Sequence, residues 1–246
     1  MLSAVIITLN EERNIGRAID SLREVVEEII VVDSFSKDNT QEICQSKGVR
    51  FMQREWEGYA ATKNFANTLA SYPYILSIDA DEVISPELAV AIKQAKREGL
   101  TGCYSFNRLT NYCGHWIRHS GWYPDEKVRM FPNSQVQWVG EYVHEKLDLG
   151  SLPVHKLTGD LYHYSYHVPQ DHRVRADQYS ILTAKKLHAQ GKTAGLAKPY
   201  LSAIGRFIRM YFFKLGLLDG AAGLRIAYIS SLSNILKYKE LRRLSK

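Results

Sequence analysis

The sequence contains few cysteines and neither of the glycine-rich loops that hold phosphate in many nucleotide-binding domains. Its three cysteines, Cys44, Cys103 and Cys113, show no metal-binding spacing, so we expect inert thiols and a reducing compartment. No G-x-G-x-x-G follows the first predicted strand, which argues against a dinucleotide cofactor. No G-x-x-x-x-G-K-S/T occurs, which excludes a P-loop enzyme.

Long uncharged apolar runs are also missing. None approaches the roughly 20 residues that a membrane-spanning helix needs. Residues 1–8 have no basic region ahead of their apolar residues, so we expect no signal peptide and a cytoplasmic protein. With 45% apolar residues over 246 positions, the chain is long enough for one large domain, or one domain with an appendage.

The charge is distributed unevenly along the chain. Residues 1–150 carry 16 Lys and Arg against 21 Asp and Glu, whereas residues 151–246 carry 16 against 5. The overall net charge of +6 therefore combines an acidic first part, at −5, with a strongly basic last part, at +11. Such asymmetry indicates an anionic partner for the last part, either a nucleic acid or an anionic membrane.

Apolar strands alternate with helices through the first hundred residues. The pattern predicts strands at 4–8, 28–32, 49–53 and 74–78, and helices between and after them. This alternation predicts an α/β fold, a Rossmann-like and mostly parallel sheet with helices on both faces. Because right-handed crossovers bring the carboxyl ends of parallel strands to one edge, the polar residues that follow three of the strands should meet there.

The fourth predicted strand ends in the acidic segment Asp79-Ala80-Asp81-Glu82. Strand periodicity puts Asp79 and Asp81 on the same side. Two carboxylates at the carboxyl end of a strand suit Mg²⁺ or Mn²⁺, together with phosphate oxygens of a ligand. Alternatively, the segment simply begins the next loop, which is the commoner meaning of an isolated Asp-x-Asp. The expected convergence with Asp33, which follows the second strand, favours a ligand site.

The pattern changes after residue 103. Residues 104–108 and 128–133 alternate as antiparallel strands do. Further along, His144 and Glu145 are adjacent, so on a strand they would point to opposite sides. From the residues alone, each could belong to a site or be an ordinary surface or core residue.

Three segments, in this order, resemble the family 2 glycosyltransferases: VIITLNEE at 5–12, IVVDSFSKDNT at 30–40 and IDADE at 78–82. Two later segments, VHE at 143–145 and GLLDG at 216–220, are similar to the branch of lipopolysaccharide-core β-1,4-glucosyltransferases. The resemblance spans most of the chain. It implies a GT-A fold, in which a Rossmann-like nucleotide half is joined to an acceptor half, with Mg²⁺ or Mn²⁺ as cofactor.

The resemblance also implies roles for individual residues. The residues that would contact the sugar-nucleotide donor are Thr8, Asn10, Glu11, Asp33, Ser36, Lys63 and Asp79. Asp33 would contact the uracil or ribose, and Lys63 the base or phosphate. Asp81 would be the principal metal ligand, Asp79 would face the ribose or the metal, and His144 would complete the metal shell or hold a phosphate.

Many members of that family carry an adjacent Glu-Asp pair whose Asp is the general base, and the second half of this chain has no such pair. Glu145 is the candidate replacement, with Glu141 as the second choice. A single carboxylate acting as base predicts one in-line displacement, which inverts the anomeric carbon. A retaining double displacement would need a second carboxylate as nucleophile.

The last part of the chain is predicted as a helical extension, residues 161–246, behind a catalytic domain of residues 1–160 with a nucleotide half (1–100) and an acceptor half (101–160). Its expected helices are apolar but carry Lys and Arg, which suits a membrane interface. A helical bundle packed on the catalytic half is the alternative. The three histidines between residues 162 and 172 have an irregular spacing for zinc and indicate a hydrogen-bonded surface cluster.

Together these observations predict a metal-dependent, inverting hexosyltransferase. It would move a hexose, with glucose as first candidate, from a UDP-sugar to a hydroxyl of a lipid-linked glycan such as lipopolysaccharide core. We expect it to be peripheral on the inner face of the cell membrane, on an anionic surface. We expect no nucleic-acid partner, because the basic residues punctuate apolar helices. The alternatives are a metal-dependent nucleotidyltransferase and a non-catalytic protein that binds a nucleotide-sugar or a membrane.

Overall fold

The computed structural model of the chain describes residues 1–140 and 145–245. Contacts between residues divide the chain into two compact units. The first unit comprises residues 1–108 and 125–163, and the second comprises residues 109–124 and 164–246.

Strands and helices alternate through the first hundred residues, as the sequence predicts. The order is β1 (Leu2–Thr8), α1 (Ile15–Leu22), β2 (Glu28–Asp33), α2 (Thr40–Ser46), β3 (Arg50–Gln53), α3 (Tyr59–Thr68), β4 (Tyr74–Asp79), β5 (Glu82–Ile84) and α4 (Pro86–Glu98). Strands then predominate, in the order β6 (Cys103–Tyr112), β7 (His115–Trp116), β8 (Asp125–Pro132), β9 (Gln137–Val139), β10 (Lys146–Asp148) and β11 (Val154–Tyr166).

The parallel part of the sheet is built around β1, which pairs in parallel with β2 and with β4. β3 extends it in parallel beyond β2. The register sets Thr8 opposite Asp33, and Ile7 opposite Asp79. The carboxyl ends of the three strands therefore meet at one edge of the sheet, as the sequence predicts.

The other strands of the first unit are antiparallel. β8 pairs with β4 and with β6, and β11 pairs with β5. Neither β5 nor β11 is predicted from the sequence. β5 has only three residues and begins at Glu82. The acidic segment therefore forms a turn at Ala80 and Asp81 between β4 and β5, and not the start of a long loop. In β11, Gly159 lies against the start of α4, where an added Cβ would fall 2.3 Å from the Leu88 nitrogen.

Both faces of the parallel sheet are covered, because alternate side chains of β1 enter two different cores. Leu2, Ala4 and Ile6 pack in one core with the apolar residues of α1 and α4. Val5 and Ile7 pack in the other, which includes a residue of α3. The predicted fold class, an α/β sheet with helices on both faces, is confirmed.

The second unit is helical. It contains α5 (Pro169–Ala189), α6 (Lys198–Ile208), a π-helical turn (Arg209–Phe213), a 3₁₀ turn (Gly216–Asp219) and α7 (Gly220–Leu244). Its core includes Tyr112, Ile117, Met210 and Ile226. α5 begins at Pro169, and proline suits the first helical position. Among the described residues, no helix combines the length and the apolar character that crossing a membrane requires.

Candidate active site

Two loops at the edge of the sheet, residues 9–14 after β1 and residues 34–40 after β2, are tied together by hydrogen bonds. The backbone N–H of Asn10 donates to Ser36 Oγ at 2.8 Å, and the N–H of Lys37 donates to Asn10 Oδ1 at 2.7 Å. The N–H of Glu11 donates to the Thr40 hydroxyl at 2.8 Å. Three predicted donor-binding residues, Asn10, Glu11 and Ser36, thus belong to one hydrogen-bonded wall.

Asp33, at the end of β2, holds the loop that follows this strand in place. Its carboxylate is fully buried and accepts hydrogen bonds from the backbone N–H of Ser36 at 2.8 Å, from the Ser36 hydroxyl, and from Gln53 Nε2 at 3.3 Å. Beside it, the hydroxyls of Thr8 and Ser34 are buried and have no hydrogen-bond partner within the described part of the chain. Unsatisfied buried hydroxyls at the end of a parallel strand are places where a polar ligand can bind.

Lys63 joins two of the predicted site residues. Its side chain, on α3, is only 3% exposed. Its ammonium lies 3.0 Å from Asp79 Oδ1 and 3.6 Å from Glu145 Oε1. It also lies 4.4 Å from the centre of the Trp138 ring, within the range of a cation–π contact. The candidate base, Glu145, therefore faces the same cation as the first aspartate of the acidic segment.

The second oxygen of Asp79 accepts a hydrogen bond from Arg129 at 2.7 Å. The same guanidinium lies 2.6 Å from Glu82, whose other oxygen accepts the backbone N–H of Asp79 at 2.9 Å. Burial by itself raises the pKa of Asp79, but the charges of Arg129 and Lys63 outweigh it and hold that pKa well below its usual range. Asp79 is thus a fixed carboxylate at the carboxyl end of β4.

Arg129 and Glu82 form the buried support for Asp79. Glu82 is fully buried, and Arg108 is a second partner at 3.2 Å. Arg108 also lies 2.8 Å from Asp125. Although burial disfavours its charged form, the neighbouring carboxylates of Asp79 and Glu82 raise the pKa of Arg129. Sequence reasoning missed both arginines, because their partners lie tens of residues away along the chain.

Asp81 has a different neighbour. Its Oδ2 lies 3.2 Å from Nε2 of His163, and both side chains are largely buried. β11 places His163 there, since its residue pairs with Glu82 of β5. Nδ1 of His163 is buried without a hydrogen-bond partner among the described residues. The surface-cluster interpretation is therefore wrong for His163, and also for His172, which is buried in the second unit. The sequence offered no clear signal for His163, because the exposure of β11 does not alternate regularly.

The side chains available as metal ligands decide where a divalent cation fits. Both oxygens of Asp79 lie against cationic side chains, which leaves it poorly suited to metal ligation in this arrangement. Asp81 and His163 offer a carboxylate and an imidazole. No group of three or more ligating side chains occurs in the described ranges, 1–140 and 145–245. A pair is sufficient for Mg²⁺ or Mn²⁺ when substrate phosphates and water complete the shell. The predicted ligand His144 and the second base candidate Glu141 lie outside the described residues.

Comparison with known proteins gives consistent results. The sequence pattern described as glycosyl transferase family 2 matches residues 3–146. An uncharacterized glycosyltransferase of Rickettsia typhi is 29% identical over 99% of this chain and 87% of its own. The lipopolysaccharide core biosynthesis glycosyltransferase LpsC of Rhizobium meliloti is 32% identical over 86% of this chain and 80% of its own.

Among solved structures, residues 1–349 of TarS from S. aureus, in complex with UDP-GlcNAc, superpose with a TM-score of 0.50. The sequences are 15% identical, and the match covers 95% of this chain and 90% of that one. At this identity the likeness concerns the fold alone, which is GT-A. It confirms the predicted fold, and the family match confirms the predicted resemblance.

Proposed function

Because the chain belongs to glycosyl transferase family 2, we propose that it is an inverting enzyme that moves a hexose from a UDP-sugar to a hydroxyl of a lipid-linked glycan. Glucose is the first candidate for the hexose, and lipopolysaccharide core is the first candidate for the acceptor. The relative from Rhizobium meliloti, which is named for lipopolysaccharide core biosynthesis, supports the acceptor class. The family membership leaves the nucleotidyltransferase alternative without support.

The observation that carries the proposal is the cluster around Lys63. Its ammonium lies 3.0 Å from Asp79 and 3.6 Å from Glu145. Asp81, which pairs with His163, lies two positions after Asp79 in the chain. In this proposal Glu145 takes the proton of the acceptor hydroxyl as its oxygen bonds to C1 of the sugar. The bond from C1 to the diphosphate oxygen breaks in the same step, and UDP leaves with the electron pair. Such general-base help contributes typically about 10²–10⁴-fold to the rate.

The donor would lie along the wall formed by the loops after β1 and β2. Thr8, Asn10, Glu11, Asp33 and Ser36 would shape the uridine side, with the buried hydroxyl of Thr8 as a free hydrogen-bonding group. Lys63 would supply positive charge toward the diphosphate.

A divalent cation, Mn²⁺ or Mg²⁺, would be held by Asp81 and His163, and it would neutralise the charge that develops on the leaving diphosphate. The imidazole favours Mn²⁺ over Mg²⁺, since Mg²⁺ prefers oxygen ligands alone. We assign catalysis to residues 1–160. We propose that the protein works in the cytoplasm at the inner face of the cell membrane, where a lipid-linked acceptor is available.

A donor-turnover assay tests this proposal. Purified protein is incubated with UDP-, GDP- or TDP-hexoses and Mn²⁺, Mg²⁺ or EDTA, and release of the nucleoside diphosphate is measured. We expect metal-dependent turnover of a UDP-hexose, abolished in Asp81→Ala. His163→Ala should raise the Mn²⁺ concentration needed for half-maximal activity at least about tenfold. His115→Ala, which changes an exposed histidine of the second unit, is the matched control and should have no effect.

Turnover that persists in EDTA would remove the metal from the proposal. Glu145→Gln tests the base separately, since it should retain donor binding while transfer to acceptor falls about 10²–10⁴-fold. If Glu145→Gln transfers at the normal rate, another group is the base.

A further inference from the structure

An unusual number of large apolar side chains is exposed in the second unit. Phe213 is 79% exposed, Leu201 66% and Leu218 60%. The other members of this set, which we call the apolar face, are Tyr200, Ile204, Ile208, Phe212, Leu215, Leu217, Leu224 and Tyr228. Single exposed apolar residues are ordinary, but a set of this size on helices and turns that pack against one another marks an interaction surface.

The spacing of these residues shows that they are organised. Leu201, Ile204 and Ile208 stand at i, i+3 and i+7 on α6, which places them on one side of that helix. Leu224 and Tyr228 stand at i and i+4 near the start of α7. Phe213 and Leu218 lie on the two turns that connect these helices.

The connecting segment is held by the rest of the unit. The carboxylate of Asp219 is only 4% exposed and accepts the backbone N–H groups of Arg118 and His119, at 3.2 and 3.1 Å, and His119 Nδ1 at 2.9 Å. The backbone N–H of Ser120 donates to the Lys214 carbonyl at 2.8 Å. This anchoring explains the Asp of the GLLDG segment, and it means that a fixed backbone presents the exposed leucines and phenylalanines.

The same segment is free of acidic residues. No Asp or Glu occurs between Asp177 and Asp219. The exposed basic residues beside or among the apolar ones are Lys198, Arg206, Arg209, Lys214 and Arg225. An apolar surface with basic residues matches the boundary between acyl chains and anionic headgroups. A second copy of this chain fits less well, because a two-fold contact would set the same basic residues against each other.

We propose that the apolar face docks on an anionic lipid bilayer, with Phe212, Phe213, Leu217 and Leu218 buried at the level of the headgroups. The basic residues around them contact the lipid phosphates. This proposal rests on the proposed function only for its purpose, which is to bring the enzyme to a lipid-linked acceptor. The binding itself requires neither donor nor acceptor.

Vesicle flotation with the full chain tests the proposal. Vesicles of phosphatidylcholine with about 30% phosphatidylglycerol are compared with pure phosphatidylcholine. We expect binding to the anionic vesicles only, weakened when salt is raised to about 0.5 M. Phe213→Ser and Leu218→Ser should each lower the partition coefficient about tenfold, and the double variant about 100-fold. Arg209→Gln should lower it about fivefold.

Matched controls come from the first unit. Val90→Ser changes an isolated apolar residue that is 68% exposed, and Arg97→Gln changes an exposed arginine of the same helix. Both should bind as the unchanged protein does, and circular dichroism checks that all variants fold. Equal binding of wild type and Phe213→Ser would overturn the proposal. So would a dimer in sedimentation velocity that Phe213→Ser dissociates, with no vesicle binding. Since no sugar donor is present, these outcomes do not depend on whether the proposed reaction is correct.

Discussion

Replacing Lys63 by methionine is the most direct test of the cluster at the edge of the sheet. The substitution retains most of the side-chain volume and removes a charge that is 3% exposed and lies between two carboxylates. Removing one partner of a buried ion pair generally costs about 3–5 kcal/mol. Asp79 retains Arg129 at 2.7 Å, and about a third of its side chain is exposed, so part of the lost interaction is replaced. We therefore expect a loss of about 2–3 kcal/mol in the free energy of unfolding, which is at or below the lower limit of that range.

For a chain of this length, such a loss lowers the melting temperature by roughly 4–12 °C. We also expect kcat for transfer to fall about 100-fold, since Glu145 loses the contact that positions it. Calorimetry and a transfer assay on the same preparation separate the two effects. Lys47→Met is the control, because Lys47 forms an ion pair with Asp20 at 2.7 Å on the surface, where such pairs contribute about 0–1 kcal/mol.

The two measurements are independent, so each tests one role of Lys63. A variant that melts and transfers like the wild type would refute the reasoning. In that case Lys63 neither stabilises Asp79 nor positions Glu145.

The remaining predictions concern the second unit. Burial, followed by the charge of Arg206, lowers the pKa of His172 to about 4. Between pH 6.5 and 4, His172 is therefore protonated in the unfolded chain but neutral in the folded chain. The free energy of unfolding should fall by about 3 kcal/mol as the pH drops from 6.5 to 4. Denaturant unfolding at both pH values should show a smaller drop in His172→Gln, and an unchanged drop would contradict the assignment. Gly223→Ala should lower the melting temperature, because its Cβ would lie 1.9 Å from a backbone oxygen. Gly205→Ala, a helical position with open space around it, should instead raise stability by about 0.5–1 kcal/mol.

The parallel half of the fold could be predicted because its signal is local. Apolar strands, amphipathic helices and caps such as Ser85, whose hydroxyl accepts the Leu88 N–H at 3.2 Å, follow from neighbouring residues. β5 and β11 could not be predicted from the sequence, for physical reasons. β5 is too short to show a period, and the exposure of β11 does not alternate regularly along its length.

The residues of the candidate site could likewise be predicted only in part. Asp33, Asp79 and Asp81 were identifiable, since each lies at or just beyond the end of an apolar strand. The partners of these carboxylates were not identifiable. Arg129 reaches Asp79 from 50 positions along the chain, and His163 reaches Asp81 from β11. Such contacts depend on strand order and register, which single-sequence periodicity does not encode.

The hydrogen bonds between the loops after β1 and β2 constrain how this enzyme can change. Asn10 and Glu12 of one loop contact Ser36, Lys37, Asp38 and Asn39 of the other through backbone and side-chain groups. Neither loop can gain or lose a residue without breaking pairings in its neighbour. Altered nucleotide preference should therefore arise from paired substitutions across the two loops, and an engineer who grafts one of them into another scaffold would have to transfer both.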